Sequence, residues 1–307
     1  MASATARVVF ERSEYERRIR RVKERMDHHG IEVMLVVDPA NMNYLTGYDG
    51  WSFYVHQGVI VALDRDEPIW FGRQQDSSGA RLTTWLSEAS IVGYPDEYVQ
   101  SRYTHTMVFV AGLLRERGLA GRNLGVEMDN YWFSARMLLT LEQELPGTKI
   151  TDGHNLVNWV KTVKSAPEIA YMREAARICE TAMETAIEHI EVGAWEKDVA
   201  AKVVEAQIRG TDSYGGDSPA IFPIMPSAER TSSAHLTFDP DRTTSQRSPI
   251  PSSRGSTAPW SSYSPGSPPK RSRRDGASPL PEAVWRNPRG WGIPTAWPTC
   301  LTGVSTR

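Results

Sequence analysis

Cysteine is nearly missing from this chain, with only Cys179 and Cys300 in 307 residues. That scarcity excludes a disulfide framework and any multi-cysteine zinc or iron–sulfur centre, and it suits a reducing compartment, so a cytoplasmic protein is expected. No charge sign dominates: 35 Lys plus Arg stand against 37 Asp plus Glu, a formal −2. Such a balance offers no global attraction to phosphate backbones or anionic lipid, and neither nucleic acid nor a membrane is an expected partner. No apolar run approaches the ~20 residues of a membrane span, and Met1 to Glu11 lacks the basic-then-apolar order of a signal peptide. P-loop, GxGxxG and GxSxG signatures are missing as well. What is present is length enough for about two domains of ~100–200 residues.

The composition changes near Pro240. From Asp241 to Arg307 there are 12 Ser, 11 Pro, 7 Thr and 6 Gly, but only 6 residues drawn from Leu, Ile, Val, Met and Phe. A stretch so poor in apolar surface cannot offset the entropy of folding, and a disordered or irregular tail over 241–307 is expected. Its 10 basic and 3 acidic residues give +7, which leaves −9 for the first 240. Three origins compete. A functional basic arm would suit RSPIPSSRG and PPKRSRRDG; a Pro-rich linker fits less well with Trp260, Trp285, Trp291 and Trp297. The third, favoured here, is a GC-rich gene read out of frame, which yields Arg, Pro, Ser, Gly, Thr and Trp without hydrophobic period.

Up to residue 155 the pattern alternates helix and strand. Tyr15, Ile19, Val22 and Met26 recur at helical spacing after Ser13, and Gly30 suits the stop. IEVMLVVDP reads as a buried strand, Ala40 to Leu45 as a short helix ending at Gly47, and VHQGVIVALD and EPIWFGR as neighbouring strands. A helix over Gln75 to Leu86, strand SIVGYP, helix Met107 to Glu116, strand NLGVEMD, helix Ser134 to Leu145 and strand KITDG complete an α/β domain. A second unit is expected over 156–240. Ser165 and Glu168 have capping-box spacing, Pro167 suits the first turn, and Ile169, Met172, Ala176, Cys179 and Met183 continue a long amphipathic helix. Trp195 to Arg209 follows as a helix after Gly193, and PAIFPIM reads as a proline-interrupted strand. Two helices and one strand cannot close a core, so exposed apolar helix faces, aggregation and dye binding are expected.

An α/β domain, then Lys164-Ser165-x-x-Glu168-Ile169, then paired helices and a strand, resembles the creatinase, prolidase and aminopeptidase P group with its pita-bread C-terminal domain. TGYDGWSFYVHQ (Thr46 to Gln57), VGYPDEYVQS (Val92 to Ser101), GVEMDNYWFSA (Gly125 to Ala135), GGDSPAIFPIMPS (Gly215 to Ser227) and AHLTFD (Ala234 to Asp239) look most similar to the ectoine hydrolases of that group. The similarity covers about Phe10 to Asp239. The fold it implies is an α/β N-terminal creatinase-type domain followed by an incomplete α+β pita-bread domain.

The activity it implies is hydrolysis of a small cyclic amidine, ectoine, to N-acetyl-diaminobutyrate. Such chemistry needs a group that takes a proton from water and returns one to the departing ring nitrogen, which histidine does near neutrality. His235, in the AHLTFD string, is the catalytic candidate; a surface or capping histidine is the bland reading. Asp217, after Gly215 and Gly216, is a candidate to face the amidinium, against ordinary turn chemistry. The group usually has an aromatic residue where Ser218 stands, and its glutamate falls after Asp239, where this chain diverges. Trp51 and Tyr54 are candidate aromatic walls for a planar cation, whereas Phe53 is expected to pack inside. The resemblance also implies a homodimer, with the N-terminal domain reaching the neighbouring active site. No cofactor and no metal are expected, because the resemblance is to ectoine hydrolases, which like creatinase are implied to work without the metal pair; the five ligand positions of the metal-dependent relatives fall beyond the break, where this sequence neither shows nor excludes them. His105, His154 and His189 are read as lacking nearby His, Cys or carboxylates at ligand spacing, and Glu127 and Asp129 as strand-end residues meeting solvent. The chain is expected to be inactive as it stands. Competing readings are a metal-dependent Xaa-Pro aminopeptidase or prolidase relative, and a non-catalytic dimerising binding protein.

Overall fold

The computed structural model describes residues 8–244 apart from 154, 220 and 234. The proposed tail therefore lies outside the described residues from 245 onward. Two compact units are formed by the described chain: one comprises residues 8–183 and 204–219, the other 184–203 and 221–244.

The first unit is built on a six-stranded sheet. Helix α1 spans Arg12–His28 and buries Tyr15, Ile19, Val22 and Met26, the face its sequence spacing predicts. Gly30, at φ +65°, ends the turn that follows. Strand β1 (Val33–Val36) is buried on both faces, which explains its unbroken apolar run. Helix α2 (Pro39–Thr46) starts where Asp38 accepts a 2.9 Å hydrogen bond from the Asn41 amide, and stops at Gly47, whose φ of +83° is left-handed. Strands β2 (Gly58–Ala62) and β3 (Ile69–Arg73) follow, then α3 (Ser77–Thr83), β4 (Ile91–Tyr94), α4 (Thr106–Glu116), β5 (Leu124–Val126), α5 (Ala135–Glu144) and β6 (Ile150–Asp152). The strand order is β4-β3-β2-β1-β5-β6. Pairing is antiparallel for β1 with β2 and β2 with β3, and parallel elsewhere.

Alternation along β1 divides the core. Val33 and Leu35 face Val110, Leu114, Met137 and Leu141 from α4 and α5. Met34 and Val36 face the opposite layer, with Ile19, Val22 and Met26 of α1 and Leu156, Val157 and Val160 of α6 (Leu156–Lys161). The result is a sheet with helices on both faces.

Helix α7 (Ala166–His189) begins as its capping-box spacing predicts. The Ser165 amide donates to Glu168 Oε2 at 2.7 Å and the Glu168 amide to Ser165 Oγ at 3.3 Å. This start is locked onto α1. Arg18 is only 2% exposed. Its Nε donates to Glu14 Oε1 at 2.9 Å and Nη1 to the Tyr44 carbonyl at 3.1 Å, while Nη2 lies 3.4 Å from Glu168 Oε1. The guanidinium carbon lies 4.1 Å from the Phe10 ring centre and 4.5 Å from that of Tyr44. Glu14 Oε1 also accepts from Ser165 Oγ at 2.9 Å.

The charge state of Glu14 couples this lock to pH. Burial opposes ionisation, but hydrogen bonds from Arg17 and Ser165 and the charge of Arg18 outweigh it and hold the carboxyl down at about 2. A depressed carboxyl stabilises the fold above its unfolded value and loses that contribution as pH falls through the folded one. The fold should thus lose at most about 3 kcal/mol from this group between pH ~5 and ~2. Glu14→Gln, compared by thermal melts across that window, should flatten this part of the profile; an unchanged profile would refute the assignment.

Helix α8 (Glu196–Arg209) forms as the sequence predicts, after Gly193 at φ +89°. The expected PAIFPIM strand does not form: no ladder pairs the described residues from Pro219 to Met225. Pro219, Pro223 and Pro226 each lack an amide donor, which breaks the register a strand needs. AHLTFD likewise carries no ladder among its described residues. Ile169, Met172, Met183 and Ile187 on α7 and Ile208 on α8 are exposed, in line with the expected open apolar faces.

Candidate functional site

The carboxyl ends of the parallel strands β1 and β5 converge on a buried polar network. Glu127, one residue past β5, is 3% exposed. Its Oε2 accepts from the amides of Val37 at 2.7 Å and Asp38 at 2.9 Å, and Oε1 accepts from Asn41 Nδ2 at 2.6 Å. Lys161 Nζ completes the set with a 2.6 Å bond to Asn41 Oδ1. Burial pushes the Glu127 carboxyl up, against these hydrogen bonds. Burial likewise lowers the Lys161 ammonium, against the nearby charges of Asp38 and Glu127. The expectation that Glu127 meets solvent is thus wrong, because the turn after β1 folds over it; Asp129 is exposed as expected.

This network extends to the aromatic loop. Asn130 Nδ2 donates to Asp38 Oδ2 at 3.0 Å, and Trp132 Nε1 donates to the Ser52 carbonyl at 2.9 Å. Ser52 Oγ in turn accepts from the amides of Tyr54 at 3.3 Å and Val55 at 3.0 Å. So braced, the loop presents Trp51 at 65%, Phe53 at 80% and Tyr54 at 50% exposure. Phe53 does not pack inside as expected, since WSFYVHQ begins as loop and enters the sheet only at Gly58. Tyr48 instead takes the core position, its ring centre 5.1 Å from that of Trp70.

Beneath the loop lies a pair that sequence separation concealed. The rings of His56 and His105 lie 4.9 Å apart, a tertiary neighbour that spacing along the chain does not reveal. Burial pushes the His56 imidazole down to about 4, and His105 adds to the shift. His105 Nδ1 accepts from the Met107 amide at 3.1 Å and so caps α4. His105 therefore caps α4, and His56 packs against its ring.

Asp217 sits in the same unit as Trp51 and Tyr54. Its Oδ1 accepts from the Ser218 amide at 2.6 Å, the turn chemistry weighed above, and its charge, second to burial, raises the Asp49 carboxyl. The turn needs its glycine: a Cβ on Gly216 would lie 1.6 Å from the Gln207 carbonyl oxygen. Asp49 is a neighbour that motif reading did not single out.

His235 belongs to the second unit. It is exposed within a loop closed by Glu196, the first residue of α8. Glu196 Oε1 accepts from the Ser227 amide at 2.9 Å and Oε2 from the Asp239 amide at 2.7 Å. Nothing in the motif pattern singled out Glu196; an acidic first-turn residue normally marks only helix-dipole compensation. Among the described residues, no group of three or more His, Cys, Asp or Glu is disposed to hold a metal ion. These residues therefore do not fit a metal centre.

Residues 18–163 match the model of the creatinase/prolidase N-terminal domain, and residues 170–251 match that of metallopeptidase family M24. The chain belongs to the creatinase/prolidase superfamily. The M24 match runs past the change of composition at Asp241. Within the superfamily the chain is 42% identical over 236 residues to the ectoine hydrolase of Halomonas elongata, covering 75% of this chain and 59% of that protein. It is 43% identical over 229 residues to an uncharacterized hydrolase/peptidase of Sinorhizobium fredii, covering 75% and 58%. The chain thus spans somewhat over half the length of these relatives. The prolidase of Pyrococcus furiosus shares the fold, with a TM-score of 0.57 at 20% identity over 74% of this chain and 62% of that one. The superfamily's pita-bread architecture is accordingly present in incomplete form, after the α/β domain. No helix among the described residues is long and apolar enough to cross a membrane.

Proposed function

We propose that this protein is a hydrolase of the ectoine hydrolase type, adding water to the cyclic amidine of ectoine to give N-acetyl-diaminobutyrate, or to a similar cyclic amidine to give the corresponding N-acyl diamine. The observation that carries the reading is the 42% identity to the Halomonas elongata enzyme over 236 residues. In this reading His235 moves protons between water and the departing ring nitrogen. Its exposure in a braced loop is compatible with that task. Trp51 and Tyr54 supply aromatic faces for the planar amidinium, and Asp217, beside Asp49, supplies negative charge. We read the assembly as a cytoplasmic homodimer in which the N-terminal domain serves the neighbouring site.

The 307-residue chain is read as inactive by itself. The glutamate that the resemblance puts after Asp239 falls where this chain diverges, and in this reading Asp217 does not replace it. Incubating the chain with ectoine and following N-acetyl-diaminobutyrate by NMR should give no turnover. In a chain continued in frame to the length of its relatives, turnover should appear, and His235→Ala should lower it about 100-fold. Hydrolysis of Xaa-Pro dipeptides dependent on added divalent metal, without ectoine turnover, would overturn the reading.

A further inference from the structure

Glu196 closes a loop that carries the proposed proton carrier. Its side chain is 2% exposed, and its two oxygens hold the two ends of the segment 227–239. Oε1 takes both the amide and the hydroxyl of Ser227, and Oε2 takes the amide of Asp239. His235 lies between these anchor points. A carboxylate divided between two backbone amides is a stronger tether than either bond alone, because both bonds are charge-assisted and the acceptor is fixed by burial.

The rest of the loop is braced in the same sense. Arg230 Nη1 lies 3.0 Å from Asp239 Oδ2, and Nη2 donates to the Thr237 carbonyl at 3.0 Å. Arg242 Nη2 lies 2.7 Å from Glu229 Oε2. On the helix side, the Glu196 amide donates to the Arg242 carbonyl at 2.9 Å, and Trp195 bridges antiparallel to Thr243. The start of α8 is thereby sewn to both ends of the loop. Dipole compensation alone would leave an exposed acid in the first turn, as Asp198 shows by its exposure.

We propose that Glu196 is a positioning residue: by clamping Ser227 and Asp239 it fixes the 227–239 loop and sets where His235 is presented. The clamp is independent of the chemistry, while its catalytic meaning rests on the proposed role of His235. Replacement by Gln keeps the shape but puts an amide donor where one of the two oxygens must accept, and Ala removes both acceptors.

The test uses the full 307-residue chain and reads the loop directly. In Glu196→Ala, amide hydrogen exchange at Ser227 and Asp239 should quicken about 10-fold or more relative to α8 amides, and trypsin should cut after Arg230 correspondingly faster. In the isosteric Glu196→Gln, exchange should quicken at one anchor and remain near native at the other. The ring resonances of His235 should move towards free-histidine positions in the Ala variant, a signature that a general loss of stability elsewhere does not produce. Should the Ala variant lose α8 itself, the Gln variant still decides through its one-sided pattern. Unchanged protection at both anchors, or equal loss along the whole of α8 in Glu196→Gln, would overturn the clamp. Catalytic meaning is separable: in an in-frame, full-length chain, Glu196→Gln should lower kcat more than it raises KM, with no further loss when combined with His235→Ala. If protection is lost in the Glu196 variants while His235→Ala leaves turnover intact, the clamp stands and the role of His235 falls.

Discussion

Replacing Arg18 with Met should cost the protein about 3–5 kcal/mol, one of the largest effects of any single substitution in it. The guanidinium is the cation that Glu14 and Glu168 share in a site almost closed to water, with Arg18 2% exposed. Methionine fills the volume between the Phe10 and Tyr44 rings but removes the buried cation, leaving the two carboxylates only the more exposed Arg17, 2.7 Å from Glu14 and 4.0 Å from Glu168. By the size scaling of thermal unfolding, the melting temperature should fall by roughly 6–20 °C. Removing the stranded charges in the triple variant Arg18→Met, Glu14→Gln, Glu168→Gln should recover part of the loss, since an uncompensated charge costs more than an absent pair. A loss below about 1 kcal/mol for Arg18→Met, or strict additivity in the triple variant, would show that the knot is not a coupled unit.

Glu127→Ala should have an effect of similar size, again about 3–5 kcal/mol. It strips the acceptor from the amides of Val37 and Asp38, just past β1, and from Asn41 Nδ2 in the first turn of α2, and removes a group close to Lys161. Glu127→Gln should cost less, about 1–3 kcal/mol, because one oxygen still accepts while the new amide group opposes a donor. The aromatic loop gives a second readout. Asn130 and Trp132 link the network to the Ser52 carbonyl, so the fluorescence of Trp51 and Trp132 should change in Glu127→Ala before global unfolding. Equal stability of wild type and the Ala variant in urea titrations would contradict this account.

The elements that periodicity reports were legible in the sequence. The buried stripe of α1, the cap and stop of α2 and the Ser165–Glu168 box are local, and each rests on residues within a few positions of one another. Failures came where tertiary neighbours decide. Glu127 looks like a strand-end residue until the β1–α2 turn is laid over it, and His105 looks alone until α4 brings it to His56. Phe53 carries a core residue's chemistry on a loop whose anchor, Trp132, comes from a distant segment. Glu196 escaped because a first-turn acid is common, and only the return of residues 227–239 makes it a clamp. The contacts that hold the candidate region in shape have no sequence signature.

The strand order also bears on how the chain acquires its shape during synthesis. β1, β2 and β3 are adjacent both in the sheet and along the chain, so a three-stranded antiparallel sheet is available as soon as β3 has left the ribosome. By parallel pairing, β4 then adds to β3, β5 to the free edge of β1, and β6 to β5. An early-emerging template of this kind lets the sheet mature outward, one edge at a time.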